Sequence, residues 1–191
     1  IAIFVVVQIL SSTGNLSRLL TGLLVPICVY IIASLSLNLV VGYSGELSLG
    51  HAGFMCVGAY SSALFSHVTS DLIPSVPRLI LALLVGAAVA AIFGVLIGIP
   101  VLRLRGDYLA IVTLAFGEII KSVLNSMTFT NGPKGLSKIP LISNYQHYTL
   151  VFIVTVITIL VISNIVDSRH GRAVCSVRDN YIAAESIGVH V

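Results

Sequence analysis

Leu79-Ile-Leu-Ala-Leu-Leu-Val-Gly-Ala-Ala-Val-Ala-Ala-Ile-Phe-Gly-Val-Leu-Ile-Gly-Ile-Pro-Val-Leu102 contains no charged or hydrogen-bonding side chain. As a helix rising about 1.5 Å per residue it is long enough to cross a hydrocarbon layer of about 30 Å. Within it Ala82, Gly86, Ala90, Gly94 and Gly98 recur at every fourth position, which strips one helix face of side chains. Between helices in lipid, small residues let backbones approach closely, so this face is expected to be a helix-packing surface, with gating as the alternative role.

Other segments repeat the pattern outward from this span. Residues 19–41 run without a charge and carry Pro26, tolerable inside a packed bundle. Residues 148–166 are rich in Val, Ile and Thr, which favours strand in water, but their unbroken apolar length argues for a membrane helix. Residues 108–124 are apolar except for Glu118 and Lys121, which lie three apart on one helix face and can satisfy each other or line a pathway. Residues 1–10 read as the stump of a truncated span. With residues 42–68 as a glycine-broken crossing, the count is about six. The expectation is an all-α integral membrane protein, a multi-span helical bundle over residues 1–166.

Composition agrees. Of 191 residues 57% are hydrophobic and 9% charged, against about 25% charged in a soluble domain. The mean hydropathy of +1.08 is too high for one anchor of about 20 residues. The net charge of +3 comes from basic residues scattered in ones and twos, with no stripe to follow a phosphate backbone, so nucleic acid is excluded as a partner. Cys28, Cys56 and Cys175 form no C-x-x-C pair, and His51 and His67 have no ligand-spaced neighbours; neither a disulfide framework nor a metal site is expected.

The chemistry gathers in two places. Gly42, Gly45, Gly50 and Gly53 interrupt an apolar run, and non-helical backbone at membrane depth persists only where it is buried in protein or lines a polar cavity. The 42–53 stretch is therefore expected to line a hydrated path, with Asn38, Ser44, Gly45, Glu46, Ser48, His51 and Glu118 as its candidate residues. Asp107, ahead of a span, reads as an acidic N-cap. The second place is the polar, basic stretch 167–191, where Asp179 or Asn180 can cap a short helix that Gly188 ends. Its small pair Ala183 and Ala184 would allow close seating in a partner's groove. No G-x-x-x-x-G-K-[ST] loop occurs, so any energy from a nucleotide must come from another subunit.

Four blocks carry a family resemblance. They are Asn38-Leu-Val-Val-Gly-Tyr-Ser-Gly-Glu-Leu-Ser-Leu-Gly-His-Ala-Gly-Phe54, Leu102-Arg-Leu-Arg-Gly-Asp-Tyr-Leu-Ala-Ile-Val-Thr-Leu-Ala-Phe-Gly-Glu118, Asn131-Gly-Pro-Lys-Gly-Leu136, and Gly171-Arg-Ala leading to Ala183-Ala-Glu-Ser-Ile-Gly188. Together they resemble the LivM-type permeases (LivH/LivM family) of branched-chain amino acid ABC importers, as a C-terminally truncated piece. The last block resembles the EAA loop, the cytoplasmic coupling helix that docks on the ATPase in ABC importers. Glu46, Lys134 and Tyr181 depart from the residues usual in that family.

The resemblance implies a subunit of an ATP-driven importer moving leucine, isoleucine or valine across the bacterial cytoplasmic membrane. It implies a second homologous permease, two cytoplasmic ABC ATPases and an extracytoplasmic amino-acid-binding protein as partners, besides the lipid bilayer, and neither a cofactor nor enzymatic activity in this chain. Coupling to the ATPase falls on Arg172, Arg178, Asp179, Ala183, Ala184, Glu185 and Gly188. The tail is then inside, which puts Arg103, Arg105, Arg169, Arg172 and Arg178 on that side and Arg18, Arg78, Lys134 and Lys138 on the other. The piece alone is expected not to transport. The alternatives are an ion-coupled carrier or channel with Glu46 and Glu118 as proton sites, a urea- or amide-type ABC permease, or a membrane enzyme using His51 and Glu46.

Overall fold

A computed structural model of the chain describes residues 18–70, 72–101, 104, 106–136 and 148–189. All regular structure among them is helical: α1 (Arg18–Asn38), α2 (His51–Val68), α3 (Ser75–Val101), α4 (Asp107–Ser126), α5 (Tyr148–Asp167), α6 (Arg169–Asp179) and α7 (Tyr181–Ser186). A π-helical turn, Leu39–Tyr43, prolongs α1, and two 3₁₀ turns, Thr128–Thr130 and Gly132–Lys134, follow α4. Among the described residues four helices are long and apolar enough to cross a membrane, Gly22–Tyr43, Ser75–Val101, Asp107–Ser126 and Thr149–Asp167. The first expected crossing, residues 1–10, lies outside the described residues. The expected crossing in 42–68 is α2, whose Ser61, Ser62, Ser66 and His67 leave it less apolar than the other four.

The chain divides into two compact units, residues 46–142 and residues 1–45 with 143–191. The first is built on an antiparallel α2–α3 hairpin. A Cβ placed on Gly86 would lie 2.8 Å from the Gly58 carbonyl oxygen and 3.1 Å from the Ser62 Cβ, and one on Gly58 would lie 3.7 Å from the Ala90 Cβ. Ala82 and Gly86 are buried at this contact face. By contrast, a Cβ on Gly94 or Gly98 would meet nothing within 4 Å. The small-residue stripe is thus used within the unit over its first half only. At the hairpin's closed end Thr69 Oγ1 donates to the Phe65 carbonyl at 2.6 Å, and buried Arg78 donates from a terminal guanidinium nitrogen to the Ser70 carbonyl at 2.8 Å.

Helix α4 packs on the start of α2. A Cβ on Gly53 would lie 2.9 Å from the Gly117 Cα, so only glycine permits this approach, and Phe54 and Phe116 flank it with ring centroids 5.6 Å apart. Asp107 is the first residue of α4 and the N-cap position belongs to Gly106, whose φ of 63° needs no side chain. The expectation of an Asp107 cap is corrected accordingly: its carboxylate sits in the first turn, where it complements the helix dipole. At the other end Thr130, with no exposed surface, donates to the carbonyls of Leu124 at 2.5 Å and Met127 at 2.8 Å. Left-handed Asn131 and Gly132 then turn the chain.

The other unit contains α1, α5 and the tail. Helix α5 is helical despite its β-branched residues, and Thr155 and Thr158 donate to the carbonyls of Val151 and Val154, each at 2.8 Å, so their hydroxyls are satisfied inside the helix. A sharp corner joins α5 to α6. Ser168 caps α6 by accepting from the Gly171 amide at 3.1 Å, and a Cβ on Gly171 would overlap the carbonyls of Ile165 and Val166.

Candidate functional site

The glycine break occupies residues 44–50, between the π-helical turn and α2. On its α1 side, the Ser44 amide closes the π turn on the Leu39 carbonyl at 3.3 Å. Asn38 Oδ1 lies where a Cβ on Gly42 would stand, so a larger residue there would have to turn the Asn38 side chain aside. Gly45 has φ +73°, and a Cβ on it would overlap Cγ of Arg178. The guanidinium of Arg178 donates to the Gly42 carbonyl at 2.7 Å and, from Nε at 2.9 Å and the other terminal nitrogen at 2.7 Å, to Asp179 Oδ1. That hydrogen bond and the carboxylate's charge raise the Arg178 pKa above its usual value, so it is a fixed cation. Of the path candidates, Asn38, Ser44 and Gly45 belong to this unit.

Glu46, Ser48, His51 and Glu118 belong to the other. There the Leu49 amide donates to Thr113 Oγ1 at 3.0 Å, and Thr113 Oγ1 donates to the Ala110 carbonyl at 3.0 Å. Thr113 therefore satisfies an amide that the break leaves without a helical acceptor. It was not singled out from the sequence; a lone hydroxyl in an apolar span beside a glycine-rich break is the signal that would have found it. Gly50 and Gly53 are buried, Gly50 against Thr113 and Gly53 against Gly117. The expectation that the whole 42–53 stretch lines a path is corrected at these two positions, since both glycines serve helix contact. Glu46, Ser48 and His51 are half-buried. Glu118 and Lys121 form an ion pair at 3.5 Å with both side chains largely exposed.

The tail carries one helix more than the sequence reading gave it, because 169–179 is the amphipathic helix α6 and not a polar approach. Asn180 caps α7, its Oδ1 accepting from the amides of Ile182 at 3.1 Å and Ala183 at 3.2 Å. At the far end the Gly188 amide reaches the Glu185 carbonyl at 3.0 Å and the Val189 amide the Ala184 carbonyl at 3.1 Å, with Gly188 at φ +84°. This is a Schellman ending. Ala184 is 2% exposed, whereas Ile182 is 63% and Ile187 76% exposed. The expected small-pair seat is thus corrected. Ala184 faces inward and Ala183 remains outside, beside exposed Tyr181, Ile182 and Glu185. Arg172 donates to the Asp167 carbonyl at 2.6 Å, back toward α5.

A family model described as a branched-chain amino acid transport system permease component matches residues 19–191. The chain belongs to this permease family. It is 36% identical over 84% of its length to the high-affinity branched-chain amino acid transport system permease protein LivM of Escherichia coli K12, covering 44% of that protein. Against LivM of Salmonella typhimurium LT2 the identity is 38% with the same coverage, and against the nucleoside ABC transporter permease protein NupC of Lactococcus lactis it is 27% over 77% of the chain and 51% of that relative. The chain thus spans about half the length of the curated relatives it matches. No solved structure gives a significant match. As a member of the permease family with four helices among the described residues long and apolar enough to span, it is a multi-pass protein of the cytoplasmic (inner) membrane.

Proposed function

We propose that this chain is part of the transmembrane permease subunit of an ATP-driven importer of branched-chain amino acids. Family membership supports the reading, and one local observation carries it furthest. The tail folds into a short helix capped at both ends by its own residues, with Ile182 and Ile187 left exposed beside Ala183. An apolar surface of this kind, on a loop leaving the lipid, suits docking on another protein. In this reading the partner is the ATPase, with residues 167–191 as the coupling loop and 1–166 as permease bundle. A second permease and an extracytoplasmic binding protein complete the importer, and ATP is hydrolysed in the ATPases and not in this chain.

A zwitterion with an aliphatic side chain needs polar groups at its two ends. Backbone amides, Ser44, Ser48 and Asn38, in and beside the break, are the nearest supply in sequence. The similarity to a nucleoside permease favours a second reading, in which the same architecture moves nucleosides. Uptake into vesicles containing the full-length protein and its partners tests both. Accumulation of labelled leucine, isoleucine or valine that requires ATP is the expected result. Accumulation of nucleosides alone supports the second reading, and accumulation driven by an ion gradient without ATP overturns both.

A further inference from the structure

We infer that Arg178 is a positioning residue that completes the end of α1 from the tail, tying the 169–189 loop to the glycine break. The inference rests on the coupling-loop reading above. A helix leaves its last carbonyls without amide donors, and a cation near its C-terminus is favoured by the helix dipole. The chain leaves helical geometry at Gly45, where φ turns to +73°, and the Gly42 carbonyl takes its hydrogen from Arg178, 136 residues later in sequence. The donor is held on its other edge by two bonds to Asp179 Oδ1, so the guanidinium is fixed between carboxylate and carbonyl. Its aliphatic stem lies against Gly45, in space that any side chain would fill.

This arrangement makes the state of the break depend on α6. With α6 in place, Gly42 has its donor and the Arg178 stem lies beside Gly45. When α6 moves, the carbonyl loses this donor and residues 42–45 are free to rearrange. Arg178 therefore acts inward, on the span, and is distinct from the exposed α7 residues that would meet a partner.

The test uses the full-length protein with Ser44→Cys as a reporter in a background lacking the native cysteines. In the chain without partners, Arg178→Gln should speed reaction of that cysteine with a water-soluble maleimide by about threefold or more, with Arg178→Lys between the two. Gly45→Ala should have the same effect, and combining it with Arg178→Gln should add little, because both break one contact. In the assembled complex, the nucleotide-dependent change in labelling should disappear with Arg178→Gln. Unchanged labelling in the chain alone, or additive effects of the two substitutions, overturns the tether. A nucleotide-dependent change in labelling that persists in the Arg178→Gln complex overturns the inward assignment. The labelling arm needs no transported substrate, so failure of leucine uptake by the wild-type complex counts against the proposed function without touching it.

Discussion

Gly86 of α3 faces Gly58 of α2 so closely that a methyl group on Gly86 would stand 2.8 Å from the Gly58 carbonyl oxygen. Two positions further along the same small-residue stripe, a methyl group on Gly94 would meet nothing within 4 Å. The two substitutions should therefore part company. Gly86→Leu forces the hairpin open and should cost about 1–3 kcal/mol or more, seen as a lowered midpoint of thermal unfolding in detergent. Gly94→Leu should leave that midpoint unchanged. If it nevertheless reduces recovery of the second permease, the free half of the stripe contacts that subunit.

Thr113 offers a cleaner test of how the break is held. Thr113→Val preserves shape but removes the acceptor for the Leu49 amide, at a cost of about 1 kcal/mol. Amide exchange at Leu49 should quicken several-fold, and Thr113→Ser should restore protection. Equal protection in all three proteins would show that the bond does not restrain the break.

Single cysteines distinguish polar path from helix contact. Ser44→Cys and Ser48→Cys, at half-buried positions in the break, should react with a small water-soluble thiol reagent in membranes. Gly53→Cys should not, because its side chain would be driven into Gly117. It should instead reduce the amount of folded protein. Reaction at Gly53 with Ser44 and Ser48 inert would move the path to the other side of α2.

The two alanines of α7 should also behave differently. Ala183→Arg puts a long cation on the exposed face and should release the ATPases while leaving the tail folded, since an unpaired charge in a protein contact costs several kcal/mol, well over tenfold in affinity. Ala184→Arg places the same group at a position 2% exposed and should unfold the loop itself. Chymotrypsin, which does not cut after arginine, separates the cases: cleavage at Tyr181 should rise for Ala184→Arg and not for Ala183→Arg. Gly188→Ala, strained at φ +84°, should weaken the Schellman ending by about 1 kcal/mol and act in the same direction as Ala184→Arg, more mildly.

Much of the architecture was readable because membrane spans are written in length and apolarity, which do not depend on what packs where. Residues 79–102 and 148–166 needed nothing else. The cap at Asn180 and the ending at Gly188 were also legible, since each depends on one residue type at one position. What escaped depends on neighbours distant in sequence. Nothing local marks Gly53 as a contact glycine, Ala184 as the inward member of its pair, or Arg178 as the donor to a carbonyl far upstream. Helix α6 escaped for a different reason. Its residues are polar and basic, and its start rests on a Ser168 cap and a glycine that fits only because of the corner behind it.

Helix α5 has a consequence for handling the protein. Its Val, Ile and Thr residues are those that favour extended pairing in water, and it is a helix because lipid offers its backbone no other hydrogen-bond partners. Its conformational identity is thus set by the surrounding solvent more than by side-chain preference. Stripped of lipid and detergent, the same segment has the composition of an aggregating strand, apolar, uncharged until Asp167 and free of proline. Extraction, heating and stalled insertion are then hazardous for one shared reason: each lets water reach a segment that stays helical only while it is kept away.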